Sequence, residues 1–230
     1  MTLYSKIPHL PGSRVVGATG GVDRRVHAAI AARFLDASRD GDRVLVTEKL
    51  DGTCVAVVRE GAVVRGYGRE GTPCAEARND GRRAFATWVE AQAARFGGLG
   101  DGERLTCEWL LHAHGTRYAL PHGPAVVIDG FGADGVRWPL DVVRAKAAAA
   151  GLPVAHLLHD GAAVALAAVL ARLGERGHHG AIDPAEGVVY RLEGGGVVLG
   201  LAKYVRPGKV DGCYLADHTG GDHVVNSWVS

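Results

Sequence analysis

The 230-residue chain has no long apolar run; nothing approaches the ~18 to 20 consecutive apolar residues that cross a membrane. It also lacks an excess of charge of either sign, with 26 Lys and Arg against 25 Asp and Glu and a formal net charge of +1. That balance excludes a broad polybasic coat for nucleic acid and a basic membrane-binding face, but leaves room for a local positive groove. Cysteine is sparse. Cys54, Cys74, Cys107 and Cys213 stand far apart with no CxxC pair, which fits a reducing compartment better than a disulfide scaffold. The opening MTLYSKIPHLPGSR lacks the apolar stretch of a signal peptide, so a cytoplasmic location with no membrane partner is expected. Lysine is scarcest among the charged residues. Only Lys6, Lys49, Lys146, Lys203 and Lys209 occur, and the other 21 cations are arginines. Arginine does not deprotonate in practice, so any chemistry needing an amine nucleophile falls to one of these five.

What is present reads as an ordinary globular chain. Apolar residues make up 47% of it, and the length can bury a core without disulfides. Residues 1–22 are rich in turn formers, and Asp23 is placed to cap a helix over 26–38. β-Branched runs predict strands over 43–50, 53–60 and 62–68, joined as hairpins by Asp51-Gly52 and Glu60-Gly61. Apolar residues at helical spacing predict a helix over 77–96, followed by core strands over 104–113 and 125–132. An Asp134-Gly135 turn follows. Helices are expected over 140–150, ended by Gly151, and over 162–173; strands over 186–192 and 197–206 flank a Gly194–Gly196 turn. The last 24 residues look polar and irregular. With no internal repeat, the expected fold class is α+β: one domain of antiparallel β-sheets flanked by helices.

Three patterns invite chemistry. Gly12 to Thr19 has the spacing of a phosphate-binding P-loop, but Ala18 stands where the lysine belongs and no strand-to-helix context surrounds it, so a plain turn is expected. His112 and His114 would share one face of a strand, a spacing compatible with a metal, yet no third ligand is near in sequence. The neighbouring His178-His179 sits in a glycine-rich loop. Polar loop and strand-end histidines are the plain expectation for both. The third pattern is Thr47-Glu48-Lys49-Leu50-Asp51-Gly52-Thr53, a lysine at a strand end followed by a carboxylate and a glycine. Lys49 and Asp51 then point to one side of the strand, and Gly52 permits close ligand approach or a left-handed turn. A lysine in a cleft becomes a nucleophile when desolvation or nearby cations deprotonate it.

With that motif the chain resembles the covalent nucleotidyltransferase superfamily of ATP-dependent DNA ligases, RNA ligases and mRNA capping enzymes. Lys49-Leu50-Asp51-Gly52 matches the nucleophile motif. Arg69 in GYGREG sits where the family places an arginine on the ribose or donor phosphate, and Glu108 in LTCEWLLHAHG matches the glutamate that holds the ribose. Glu186-Gly187-Val188-Val189 matches the metal-binding strand, and Lys203 in LAKYVRP matches the lysine on the α-phosphate. The HLPGS lead, the TEKLDG context and the AKYVRP ending make the chain most similar to the RNA ligases.

The resemblance implies an adenylation domain over 1–230 with a motif-bearing core of about 43–210. The 24 residues after Arg206 are too few for a C-terminal oligonucleotide-binding domain. It implies an ATP-dependent RNA ligase joining 5′-phosphate and 3′-hydroxyl RNA ends through a lysyl–AMP intermediate. A separate end-healing enzyme or substrate-binding subunit is a possible partner. Lys49, Asp51 and Lys203 would be catalytic; Glu48, Gly52, Arg69, Glu108, Ile128, Glu186 and Arg206 would help bind nucleotide; Glu186 and Asp51 would bind Mg²⁺ or Mn²⁺. Two positions depart from the family pattern. Ile128, or Phe131, stands in for the ring that stacks on adenine, and Arg206 stands in for the second lysine of the last motif, whose place Val205 holds. The alternatives are a DNA-nick or capping-type transferase working with a partner, or a protein that binds nucleotide or RNA ends without sealing them.

Overall fold

Strand β1, Asp42–Lys49, carries apolar residues in consecutive positions because it is covered on both faces. Val44 and Val46 pack into one apolar cluster and Leu45 into another. The computed structural model describes residues 2–15 and 24–229. The proposed Asp23 cap and residues Gly17 to Thr19 lie outside that range.

Helix α1 spans Ala28–Leu35, and its N-cap is His27, whose Nδ1 accepts from the Ala29 N–H at 3.4 Å. After β1 come β2 (Thr53–Glu60) and β3 (Val63–Gly68), then α2 (Asp80–Ala91) capped by the Asn79 carboxamide. A short 3₁₀ turn, Ala93–Gly98, replaces the end of the longer helix predicted there. Next are β4 (Arg104–Trp109), β5 (Ala119–Leu120), β6 (Ala125–Phe131), α3 (Leu140–Ala149) and β7 (Leu157–Gly161). The chain continues through α4 (Leu166–Leu173), β8 (Gly187–Gly194), β9 (Val197–Val205), α5 (Ala216–Thr219) and β10 (Ser227–Trp228). Helix α4 thus begins four residues after the predicted start, since the short strand β7 uses the segment before it.

Two antiparallel four-stranded sheets result, ordered β7-β1-β8-β9 and β3-β2-β4-β6. Helices α1 and α4 cover the outer face of the first around Phe34, Val169, Leu173 and Tyr190. Helices α2 and α3 cover the outer face of the second around Val57, Phe85, Leu105 and Val143. These outer faces are closely packed apolar interiors, and each fully buried Leu or Phe contributes roughly 1.5–3 kcal/mol. The inner faces look at each other. Arg191 on β8 donates to Asp129 on β6 at 2.6 Å, a fully buried bridge between the sheets.

One expected connection is absent. Residues Asp51-Gly52 do not close a hairpin; β1 and β2 separate there, one into each sheet. Gly52 has no positive φ, so a left-handed turn does not explain it. Instead the chain crosses so close to β4 that a Cβ at Gly52 would lie 2.6 Å from the Trp109 carbonyl oxygen. Glu60-Gly61 does close a hairpin, with Gly61 at φ 57°. Strand β4 also stops at Trp109, before HAHG, because the following backbone bonds Pro124 and the C-terminal tail, as in Ala113 N–H to Val224 O at 2.8 Å. That tail is not wholly irregular. β10 pairs in parallel with β5.

Candidate active site

Strand alternation decides what faces the gap between the sheets. On β1, Leu45, Thr47 and Lys49 share the inner side, while Val44, Val46 and Glu48 face the opposite way. On β9, Lys203 lies opposite Val189 and Val205 opposite Gly187, so these join the inner side. From the other sheet, Cys54 on β2 pairs with Glu108 on β4. On β6 the register skips Ile128, a one-residue bulge between the pairs Thr106–Asp129 and Cys107–Val127. A bulge turns a side chain out of its normal alternation, and here Ile128 lines the gap.

These residues enclose a cleft of about 680 Å³, a size that suits a nucleotide. Lys49, Asp51, Gly52, Arg69, Glu108, Ile128, Glu186 and Lys203 all line it. The N-terminal lead forms one wall: Leu10 N–H donates to Lys203 O and Lys203 N–H to Pro8 O, which lays residues 8–10 along β9. His9 Nδ1 and Ser13 Oγ share a hydrogen bond of 2.6 Å behind it. At the mouth, Arg14 reaches Asp211 at 3.1 Å and so joins the lead to the C-terminal tail.

At the centre, Lys49 Nζ donates to Glu186 Oε2 at 2.7 Å and to Leu50 O at 3.3 Å. Burial alone lowers the ammonium's pKa, but the carboxylates of Glu186 and Glu108 outweigh it, so the net shift is upward. The expectation of a deprotonated amine therefore does not describe this unliganded arrangement. Glu108, whose Oε1 accepts from Gly52 N–H at 2.9 Å, is pushed up to about 7 by burial, and Glu186 is raised from the same main cause. Asp51 is committed on one side: its Oδ2 meets Lys209 Nζ at 2.5 Å and accepts from Gly115 N–H at 2.8 Å. Tyr118 OH accepts from Asp51 N–H at 3.1 Å.

The carboxylates of Asp51, Glu108 and Glu186 gather around Lys49 in a buried site. An all-oxygen donor set of this sign suits a hard divalent cation such as Mg²⁺ or Mn²⁺. Each of the two proposed metal ligands keeps one oxygen outside these bonds, Oε1 of Glu186 and Oδ1 of Asp51.

Arg206 and Phe131 do not line the cleft, and Glu48, which does, turns its carboxylate aside. The Glu48 carboxylate turns toward the loop before β8, where Oε2 accepts from His178 N–H at 2.7 Å and Oε1 stays buried without a partner among the described residues. Burial raises its pKa. Arg206 lies past the end of β9 and donates to the carbonyls of Gly174 and Glu175, so it caps the C-terminal end of α4 instead of lining the cleft. Phe131 is held against Tyr4 and beneath the Arg104 guanidinium, 4.2 Å from the ring centroid, which leaves Ile128 as the apolar contact from β6.

Several cleft residues gave no sequence signal. Lys209 pairs with Asp51, although only its scarcity marked it. Arg82, in the first turn of α2, lines the cleft with its guanidinium over Gly68, where a Cβ would come within 3.3 Å. It has no ion-pair partner among the described residues. His114 separates from His112 and bonds Thr53 Oγ1 at 3.2 Å, with its pKa lowered by burial. Tyr4 and His218 enter from the two ends of the chain.

Residues 42–205 match the family model described as RNA ligase. Among solved structures, mutants of the Naegleria gruberi RNA ligase share the fold. An apo mutant matches with a TM-score of 0.53 at 15% identity, over 78% of this chain and 52% of that one. A mutant with ATP and Mn gives 0.52 at 15%, over 78% and 52%. A mutant with AMP and Mn gives 0.52 at 14%, over 72% and 50%. The chain spans about half the length of these structures, and at such identity the likeness concerns the fold. No curated protein matches the chain.

Proposed function

The chain belongs to the RNA ligase family, and from that premise we propose that it is an ATP-dependent RNA ligase acting through a lysyl–AMP intermediate on Lys49. The observation that carries this reading is the convergence of Lys49, Glu108 and Lys203 from strands of the two sheets, and of Glu186 just before β8, on one nucleotide-sized cleft.

In the first step Lys49 Nζ attacks the α-phosphorus of ATP, a P–N bond forms, and the bond to the departing pyrophosphate breaks. The amine must first lose its proton. The upward shift of Lys49 comes from Glu186, Glu108 and Asp51 together, so engaging Glu186 elsewhere weakens it and gives burial, which favours the neutral amine, more weight. A divalent cation at Glu186, when bound, supplies positive charge against the phosphates. Lys203 adds a compact cation from β9, and Arg69 and Arg82 face the same space. Glu108 is placed to accept from ribose hydroxyls. Ile128 gives the base an apolar face, and Glu48 contributes through the strand that carries Lys49. The adenylyl group then passes to an RNA 5′-phosphate, and a 3′-hydroxyl displaces AMP to close the backbone. The catalytic unit proposed is one adenylation domain built from the two sheets.

The test is transfer of label from α-labelled ATP to the protein, read beside a mass increase of one AMP. Lys49→Ala and Lys49→Arg are expected to abolish both; labelling at the wild-type rate in either variant would overturn the assignment. Offering 5′-phosphate RNA and DNA ends to the adenylylated protein then separates RNA sealing from DNA-nick sealing.

A further inference from the structure

The cleft uses only half of HAHG. His114 faces Thr53, while His112 turns toward Asp80 at the start of α2 and His223 in the C-terminal tail. His112 Nδ1 lies 3.9 Å from Asp80 Oδ1, and His223 Nε2 lies 3.6 Å from the same oxygen. All three donor atoms fall within 4.8 Å of one another, the one such group of three among the described residues. Neither distance is a hydrogen bond. Donors held 2.0–2.1 Å from a tetrahedral ion stand about 3.4 Å apart, so small movements suffice to close the set. Of the two other neighbouring histidine pairs, His122 and His179 are by contrast satisfied by a direct bond of 2.7 Å, and His156 stacks on His178, whose Nε2 bonds the Arg172 carbonyl.

The geometry points to a zinc-binding staple formed by Asp80, His112 and His223, with water as the fourth ligand. Two imidazoles and one carboxylate suit Zn²⁺, whereas the carboxylate-rich cleft suits a harder ion. The imidazoles stack with centroids 4.5 Å apart and planes 10° apart, so their lone pairs run parallel. One ring has to turn about χ2, which is a broad torsion in histidine. His223 is placed to do so. Its side chain is 24% exposed, against 13% for His112, and its Nδ1 accepts only a long bond of 3.3 Å from Ala216 N–H. Ligation through Nε2 puts the proton on Nδ1 and gives up that bond.

The ion would join three separate segments: α2, the loop after β4, and the tail. Backbone bonds from Ala113 to Val224 and from Asn226 to Leu111 already lay the tail on that loop. Three residues beyond His112, the Gly115 N–H holds Asp51 beside Lys49. Zinc at this position therefore braces the backbone that positions the nucleophile's turn, without touching the nucleotide.

The test uses the chelator-stripped full chain in buffer free of other divalent ions. One Zn²⁺ per chain is expected to survive gel filtration and to raise Tm by about 5–10 °C at a free Zn²⁺ concentration near one hundred times Kd. His223→Ala should lose both effects while keeping the zinc-free Tm of the wild type, and His122→Ala, in a separate histidine pair, should keep both. Co²⁺ in place of Zn²⁺ should give visible absorption in the wild type and not in His223→Ala. Zinc retained at full stoichiometry by His223→Ala, or none retained by the wild type, overturns the proposal. Should His223→Ala fail to fold, Asp80→Asn, a change at an exposed side chain, takes its place with the same outcomes.

Discussion

Lys49 and Glu186 stand 2.7 Å apart on neighbouring segments of one sheet, and the carboxylate holds the lysine as an ammonium. In the function proposed above Glu186 has two duties, restraining Lys49 and offering an oxygen to a divalent ion. Glu186→Ala is expected to lower label transfer from ATP by about 10²-fold or more, the scale seen when a preorganised electrostatic partner is removed. Added Mn²⁺ or Mg²⁺ should not restore it, and the far-ultraviolet spectrum should be unchanged. A metal titration identical to that of the wild type would remove Glu186 from the site.

Glu108 gives a pH signature in stability. Burial holds its carboxyl at about 7 in the folded chain, against an ordinary value of 4.5. Between those values the folded state binds more protons than the unfolded one, so stability falls as pH rises through that window. Glu108→Gln should therefore be more stable than the wild type at pH 8, by up to roughly 3 kcal/mol, and nearly equal to it at pH 4.5. Urea unfolding at the two pH values checks this. A gap of the same size at both would mean that another group titrates.

Lys209 is predicted to matter as much for the fold as for the site. Its ammonium and the Asp51 carboxylate are both buried and 2.5 Å apart. Lys209→Met leaves Asp51 buried without that partner, which should cost about 3–5 kcal/mol, while Lys209→Met combined with Asp51→Asn should recover part of the loss. Denaturant midpoints of the two singles and the double give the coupling. Additive effects would show that the pair does not act as a unit.

Arg82 faces the cleft with no acidic partner among the described residues, as a residue awaiting an anion would. A charge-assisted hydrogen bond contributes about 1.5–3 kcal/mol, so Arg82→Ala should weaken the binding of ATP or of a 5′-phosphate RNA end by roughly 10- to 100-fold. Separate KM measurements show which ligand depends on it. Tm should stay close to that of the wild type, and unchanged KM values for both ligands would count against the assignment.

Much of this protein was legible in its sequence because the motifs are local. A lysine two residues before an aspartate, a glutamate in an apolar strand and a lysine on a β-run each announce a side chain that chemistry or a partner must explain. The β-branched runs and helical spacings placed most elements within a few residues. Where boundaries moved, at α4 and at the end of β4, hydrogen bonds to distant segments had replaced local ones. Ile128 shows the limit well. Its identity was readable, but the bulge that aims it into the cleft depends on pairing with a strand some twenty residues earlier.

By itself, the sequence determined the α+β class and the family, since these follow from periodicity and from short motifs in fixed order, and it singled out the residues proposed to carry the chemistry. Tertiary structure alone decided that Asp51-Gly52 is a crossing between sheets and not a hairpin, because strand pairing is a choice among distant partners. It alone brought Lys209 to Asp51, Arg82 to the cleft and His223 to His112, contacts made by residues far apart in the chain. It also set Lys49 as an ammonium, because its protonation reflects the sum of burial and of carboxylates arriving from three separate segments of the chain, and that sum depends on their packing together.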